Sequence, residues 1–129
     1  MDRAGLCPCG RPAAYAACCA RYHDGPQRLQ APTAEALMRS RYSAYVLGLA
    51  DYILATWHPS TRPAALESDP AGLKWLGLQV LPPVMTAADH ASIEFVARSK
   101  IAGRARRLRE VSRFVFEGGR WFYLDGDLK

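Results

Sequence analysis

All four cysteines of the chain fall within its first nineteen residues, as Cys7-Pro8-Cys9-Gly10 and Cys18-Cys19. Two thiolate pairs joined by a short loop can surround one ion tetrahedrally, the closed geometry of a structural zinc site. Disulfides are the competing chemistry, and they belong to secreted chains. Met1-Asp2-Arg3-Ala4-Gly5-Leu6 has neither the basic start nor the apolar stretch of a signal peptide, so a cytoplasmic protein with reduced thiols is expected. Redox chemistry and inert core thiols are the remaining readings of such a cluster. Adjacent ligands are awkward, because neighbouring side chains usually diverge. His23 lies one helical turn beyond Cys19, so a set of Cys7, Cys9, Cys19 and His23 stays open beside the four-thiolate set. Spacing does not separate zinc from iron.

Two further groups of residues can do chemistry. Alternation along Leu108 to Phe116 puts Glu110 and Ser112 on the face that carries Leu108, Phe114 and Phe116, and a carboxylate there needs a partner. Arg41, set among tyrosines that include Tyr45, is the expected partner. The pair is either a structural tie or the polar floor of a ligand pocket. Trp57, His58 and Trp75 form the second group, in which His58 and Glu110 would be the acid and base of an enzyme reading. No nucleophile, second carboxylate or cofactor motif joins them, so no catalytic residue is assigned. His90, beside Asp89 in a turn, reads as solvated. The run Arg104-Ala105-Arg106-Arg107-Leu108-Arg109 divides between the two faces of a strand and lacks interleaved aromatics, which reads as a solvated tip, with nucleic-acid contact as the alternative.

The elements that must position these residues follow from periodicity. The chain has 129 residues, half of them hydrophobic, so it can build a real core. No stretch is apolar and long enough for a membrane-spanning helix. The formal charge is +5, which falls to roughly +3 if four thiolates hold one dication. Gly25-Pro26 opens a polar turn or linker that runs to Pro32. Thr33 caps a helix on which Met38, Tyr42, Tyr45, Val46, Leu49 and Ile53 recur at helical spacing, with Gly48 as a kink or division and His58-Pro59 as the end. A short helix is expected over Pro63 to Glu67. Strands follow over Trp75 to Val84, Ala91 to Ile101, Arg107 to Glu117 and Arg120 to Asp125, with turns at Gly103 and Gly118-Gly119. A long helix followed by a meander is an α+β fold in which a curved sheet wraps the helix and leaves a cavity at one end.

Two resemblances rest on these strings. Cys-Pro-Cys-Gly, eight intervening residues, Tyr15 and Cys18-Cys19 resemble the SEC-C motif, a zinc knuckle also found at the tail of the SecA preprotein translocase motor. The resemblance implies Cys7, Cys9, Cys18 and Cys19 as ligands, ahead of the His23 set. The usual Ser-Gly and lysines are replaced by Arg11-Pro12-Ala13-Ala14 and Ala16-Ala17, which thins the basic surface through which such knuckles meet partners. The strings Leu37-Met38-Arg39-Ser40-Arg41-Tyr42, Thr56-Trp57-His58-Pro59-Ser60, Glu94-Phe95-Val96-Ala97-Arg98, Glu110-Val111-Ser112-Arg113-Phe114 and Trp121-Phe122-Tyr123-Leu124-Asp125-Gly126 resemble the YchJ family of bacterial proteins. That likeness implies a nuclear transport factor 2-like cone and no assigned activity.

The expected organisation is a zinc knuckle over 1–27 and a cone over 28–129. The expected pocket draws on Arg41, Tyr45, Trp57, His58, Trp75, Glu110 and Ser112. The expected role is a binding or adaptor module with a protein partner at the knuckle, a small-molecule ligand in the cone and a homodimer as an option. A pocket enzyme and a nucleic-acid or ribosome-associated binder are the alternatives.

Overall fold

The computed structural model describes residues 6–66 and 69–129. The chain opens with a 3-10 turn over Tyr15–Ala17 and the one-turn helix α1, Ala20–His23. Helix α2, Ala34–Leu47, is capped by Thr33, whose Oγ1 accepts from the Ala36 N–H at 3.0 Å. It ends on Gly48 at φ 73°, the left-handed conformation in which glycine is favoured. Helix α3, Ala50–Ala55, follows, so Gly48 divides the expected helix in two.

Pro63 to Leu66 forms no helix, in contrast to the expectation, and Glu67 lies outside the described residues. Five antiparallel strands make the rest: β1 Lys74–Val80, β2 Val84–Ala87, β3 His90–Ile101, β4 Arg104–Glu117 and β5 Arg120–Leu128. The order is β1-β3-β4-β5, and β2 pairs with the start of β3. A single strand over Trp75 to Val84 was expected. Pro82 and Pro83 lack the ladder N–H and divide it, leaving Leu81 to donate to Glu94 O at 2.9 Å.

The β3–β4 turn is Ala102-Gly103 and the β4–β5 turn is Gly118-Gly119, all four residues at positive φ. These are the tight turns whose twist matches two paired strands. The strands therefore run further than the alternation alone indicates, with β4 beginning at Arg104 and β5 reaching Leu128.

The sheet's inner face closes over α2 and α3. Leu37, Ile53, Ile93 and Phe114 are at most 2 % exposed at the centre of this core. Trp57, just after α3, forms a parallel bridge with Tyr123, and the His58 N–H and Tyr123 N–H complete it at 2.8 Å each. The end of the helical segment is thus fastened to β5. Among the described residues no helix is long and apolar enough to cross a membrane.

Candidate functional site

The four cysteine sulfurs lie within 4.8 Å of one another and every cysteine is buried. A tetrahedral ion with arms of about 2.3 Å has sulfur–sulfur edges of about 3.8 Å. The Cys9 and Cys18 sulfurs stand 3.7 Å apart, so the donor set fits a metal of that kind. The backbone resolves the problem of adjacent ligands. Cys18 takes an irregular conformation, φ −127° and ψ −116°, whereas Cys19 is already helical, and the change of direction brings both thiols into one cluster.

Electrostatics within the cluster are uneven. Hydrogen bonds from Cys19 and Cys9 hold the Cys7 thiol far below its ordinary range. Burial and the neighbouring Cys7 and Cys9 push Cys18 up to about 11. Cys19 is pushed up by Cys7 and Cys9 and then by burial. Without a cation these sulfurs must share protons; a bound dication lets all four act as thiolates.

His23 is not part of the cluster. Its Nε2–H donates to Ser40 O at 2.7 Å, and its Nδ1 accepts from the Tyr15 hydroxyl at 2.6 Å. Burial lowers its pKa, which keeps the ring neutral. Both nitrogens are engaged, so the alternative set of Cys7, Cys9, Cys19 and His23 is not the one brought together. His23 instead ties the knuckle to α2.

Three more bonds do the same. Ser43 Oγ lies 3.5 Å from Cys7 Sγ, Arg39 Nη1 donates to Cys9 O at 2.8 Å, and Arg11 donates at 3.4 Å to Glu35, the carboxylate that also accepts from Arg39 within α2 at 2.9 Å. Ser43 thus stands where its hydroxyl could donate to the Cys7 sulfur and steady it as a metal-bound thiolate. Glu35 sits below its ordinary carboxylate value, because burial, which raises it, is outweighed by Arg39 and Arg11.

The opposite side of α2 lines a cavity of about 270 Å³. Of the residues expected there, Arg41, Tyr45, Trp57, Trp75, Glu110 and Ser112 line it, and His58 does not. The reason is geometric: Trp57 takes the inward position beside Tyr123, and the next residue points away. His58 donates from Nε2 to Glu117 at 3.0 Å, and its Nδ1 accepts from the Ser60 N–H at 3.1 Å. Its ring meets Phe122 edge-on, on the side of β5 opposite Tyr123.

Arg41 is 6 % exposed and makes no ion pair with Glu110, contrary to the expected pairing. Its Nη1 donates to Ile53 O and Thr56 Oγ1, both at 2.7 Å, at the carbonyl end of α3. The guanidinium lies 4.5 Å from the Tyr123 ring centroid and 5.3 Å from that of Trp57. Burial lowers its pKa, while the nearby phenols and Glu110 favour its charge.

Glu110 Oε2 accepts from Ser112 at 2.6 Å and from the Tyr123 hydroxyl at 3.4 Å. Gly126 makes this seat possible, since a Cβ there would stand 2.4 Å from Glu110 Oε2. Burial, then the charge of Glu110, holds the Tyr123 phenol protonated far above neutral pH. At the other side Tyr42 meets Trp75 edge to face and Tyr45 meets it at a tilt, and Trp75 Nε1 donates to Asp69 at 3.3 Å.

Periodicity did not single out Tyr42, Asp69, Phe95, Leu108 or Tyr123 as lining. Phe95, Leu108 and Glu110 share the inner face by register, which is the signal that could have found them.

The arginine run behaves as its alternation implies. Arg104 and Arg106 pair with Ile101 and Ser99 on the inner side, while Arg107 stands opposite Arg98 and Arg109 opposite Val96 on the outer side. Arg109 is ion-paired with Glu94. His90 is bonded to Asp89 in the turn before β3 and takes no part in either site.

A long helix in a curved antiparallel sheet, preceded by a buried four-cysteine knuckle, defines a SEC-C knuckle joined to a nuclear transport factor 2-like cone. Residues 33–126 match the family model of the YchJ middle NTF2-like domain. The chain belongs to the YchJ, or UPF0225, family. It is 58 % identical over 123 residues to a UPF0225 protein of Bordetella pertussis, covering 95 % of this chain and 92 % of that one. A UPF0225 protein of Methylibium petroleiphilum is 63 % identical over 122 residues, covering 95 % and 88 %. The solution structure of a SEC-C motif containing protein from Rhodopseudomonas palustris superposes with a TM-score of 0.79 at 32 % identity, over 94 % of this chain and 96 % of that one. The crystal structure of a SEC-C motif containing protein from Psychrobacter arcticus gives 0.78 at 32 %, over 95 % and 82 %.

Proposed function

We propose that the protein is a zinc-braced binding module of the cytoplasm: Cys7, Cys9, Cys18 and Cys19 hold zinc, the knuckle meets a protein partner, and the cone takes a small molecule. The observation that carries this reading is the double use of α2. Arg39, Ser40 and Ser43 bond to the knuckle, while Arg41, Tyr42 and Tyr45, on the same turns, line the cavity. An ion at the four thiols would therefore stiffen the helix that shapes the pocket. Four buried cysteines gathered into one metal-type cluster accord with a reducing compartment. The acid/base alternative needs His58 and Glu110 at one substrate, and only Glu110 lines the cavity.

Chelation of the purified, reduced protein tests the coupling. Removal of the metal, verified by elemental analysis, is expected to lower the melting temperature and to broaden the NMR signals of Trp57 and Trp75. Unchanged melting and unchanged tryptophan signals in verified apo-protein would overturn it.

A second reading is favoured by one feature of the sheet's outer face. Lys74 stands opposite Lys100, and Arg98 opposite Arg107, in adjacent like-charged pairs. Like charges placed directly opposite are destabilising, and none of these four has an acidic partner among the described residues. A polyanion such as RNA would relieve them. Affinity for single- or double-stranded RNA that does not fall with added salt would end this reading.

A further inference from the structure

Opposite charges share the cone's cavity without meeting. The Tyr123 ring stands between them: the Arg41 guanidinium lies over its face at 4.5 Å, and Glu110 accepts from its hydroxyl at 3.4 Å. Arg41 is 6 % exposed, and its only hydrogen bonds are those of Nη1 to Ile53 O and Thr56 Oγ1, which leaves Nε and Nη2 without acceptors among the described residues. Both bonds of Glu110 go to Oε2, which leaves Oε1 without a donor among the described residues. A buried guanidinium with no counter-ion is costly, and the cost is removed by an anion that reaches it.

The other charges at the cavity narrow the choice. Asp69 lines it too, held by Trp75 Nε1, so among the described residues two carboxylates face one guanidinium. A ligand that is only an anion would meet excess negative charge. A ligand that is only a cation would leave Arg41 uncompensated and be repelled by it. A molecule that carries both charges satisfies each. Apart from Ser112, which donates to Glu110, the remaining described walls are apolar or aromatic, with Tyr42, Tyr45, Trp75 and Phe95 prominent. The volume of about 270 Å³ is that of about nine waters at ~30 Å³ each, which suits a molecule of amino-acid size.

We propose that the cavity binds a small zwitterion with an aromatic body, an aromatic α-amino acid or a close relative, with its carboxylate on Arg41 and its ammonium on Glu110. This rests on the reading of the cavity as a small-molecule site and names the class of ligand.

The test uses the full metal-loaded chain and four probes: L-phenylalanine, its amide, which is only a cation, 3-phenylpropionate, which is only an anion, and neutral p-cresol. Binding is followed by the indole N–H signals of Trp57 and Trp75. L-Phenylalanine is expected to bind about tenfold more tightly than the amide or the acid, the size of one charge-assisted contact. Equal binding of 3-phenylpropionate overturns the role of Glu110, and equal binding of the amide overturns that of Arg41. Binding of p-cresol without any preference for the zwitterion keeps the cavity as a binding site and refutes the class. If no probe shifts either indole, both proposals fail.

Arg41 also holds the end of α3, so the confirming variant is Glu110→Gln. It should weaken L-phenylalanine about tenfold and leave 3-phenylpropionate no weaker. Unchanged affinity for L-phenylalanine in this variant refutes the assignment.

Discussion

Replacing Gly126 by alanine tests how Glu110 is seated. In the present structure an added Cβ would stand 2.4 Å from Glu110 Oε2, 2.9 Å from its Cδ and 3.1 Å from the backbone oxygen of Val111. The carboxylate can swing away, but the Val111 carbonyl belongs to β4 and cannot move freely. Overpacking of this kind costs about 1–3 kcal/mol. Displacing Glu110 also breaks its 2.6 Å bond from Ser112, which is 2 % exposed, and a hydrogen bond to a charged group is worth about 1.5–3 kcal/mol. Because the two losses overlap, Gly126→Ala should cost about 2–4 kcal/mol in urea or thermal unfolding. The decisive comparison is a double-mutant cycle with Glu110→Ala. If the added methyl and the carboxylate compete for one space, the double variant is more stable than the sum of the single costs predicts, by about 1–2 kcal/mol. Additive costs within about 0.5 kcal/mol would refute the reasoning, since they would mean that Gly126 does not make room for Glu110.

Three further outcomes follow from the same geometry. His23→Gln should retain one metal per chain while losing about 1–3 kcal/mol of stability, because it removes bonds to Tyr15 and Ser40 but no thiol; metal analysis beside a melting curve checks both. Glu35 has a folded pKa below its ordinary 4.5, so its stabilisation is fully present above pH 4.5 and is lost as pH falls through the lowered value. The difference in stability between the natural chain and Glu35→Gln, about 0.5–1 kcal/mol near neutrality for a part-exposed pair, should therefore shrink below pH 4.5; a constant difference would contradict the Arg39–Glu35–Arg11 bridge. His58→Ala should leave ligand binding in the cavity unchanged, because His58 is bonded to Ser60 and Glu117 outside it.

Local chemistry made much of this legible. Cysteine spacing marked the cluster, Thr33 marked the start of α2, and Gly103 and Gly118-Gly119 marked two hairpins whose register then follows. Three features depended on contacts between distant residues. Arg41 was expected to pair with Glu110, yet the carbonyl end of α3 lies closer and supplies Ile53 O and Thr56 Oγ1. Trp57 and His58 are neighbours, so only one can face inward, and the bridge to Tyr123 that decides between them joins residues far apart in the chain. Gly126 sits inside a string that carried the family likeness, but its purpose appears only when β5 is laid beside Glu110. The cavity therefore reads in the sequence as a set of inward residues, and its charge arrangement reads only in the fold.

Metal analysis of the purified, reduced chain, with each of Cys7, Cys9, Cys18, Cys19 and His23 replaced in turn, tests the central claim most directly. One zinc per chain is expected, lost on replacement of any one of the four cysteines and kept on replacement of His23. A chain without metal, or full occupancy after loss of Cys18 or Cys19 together with loss of metal on replacing His23, would contradict it.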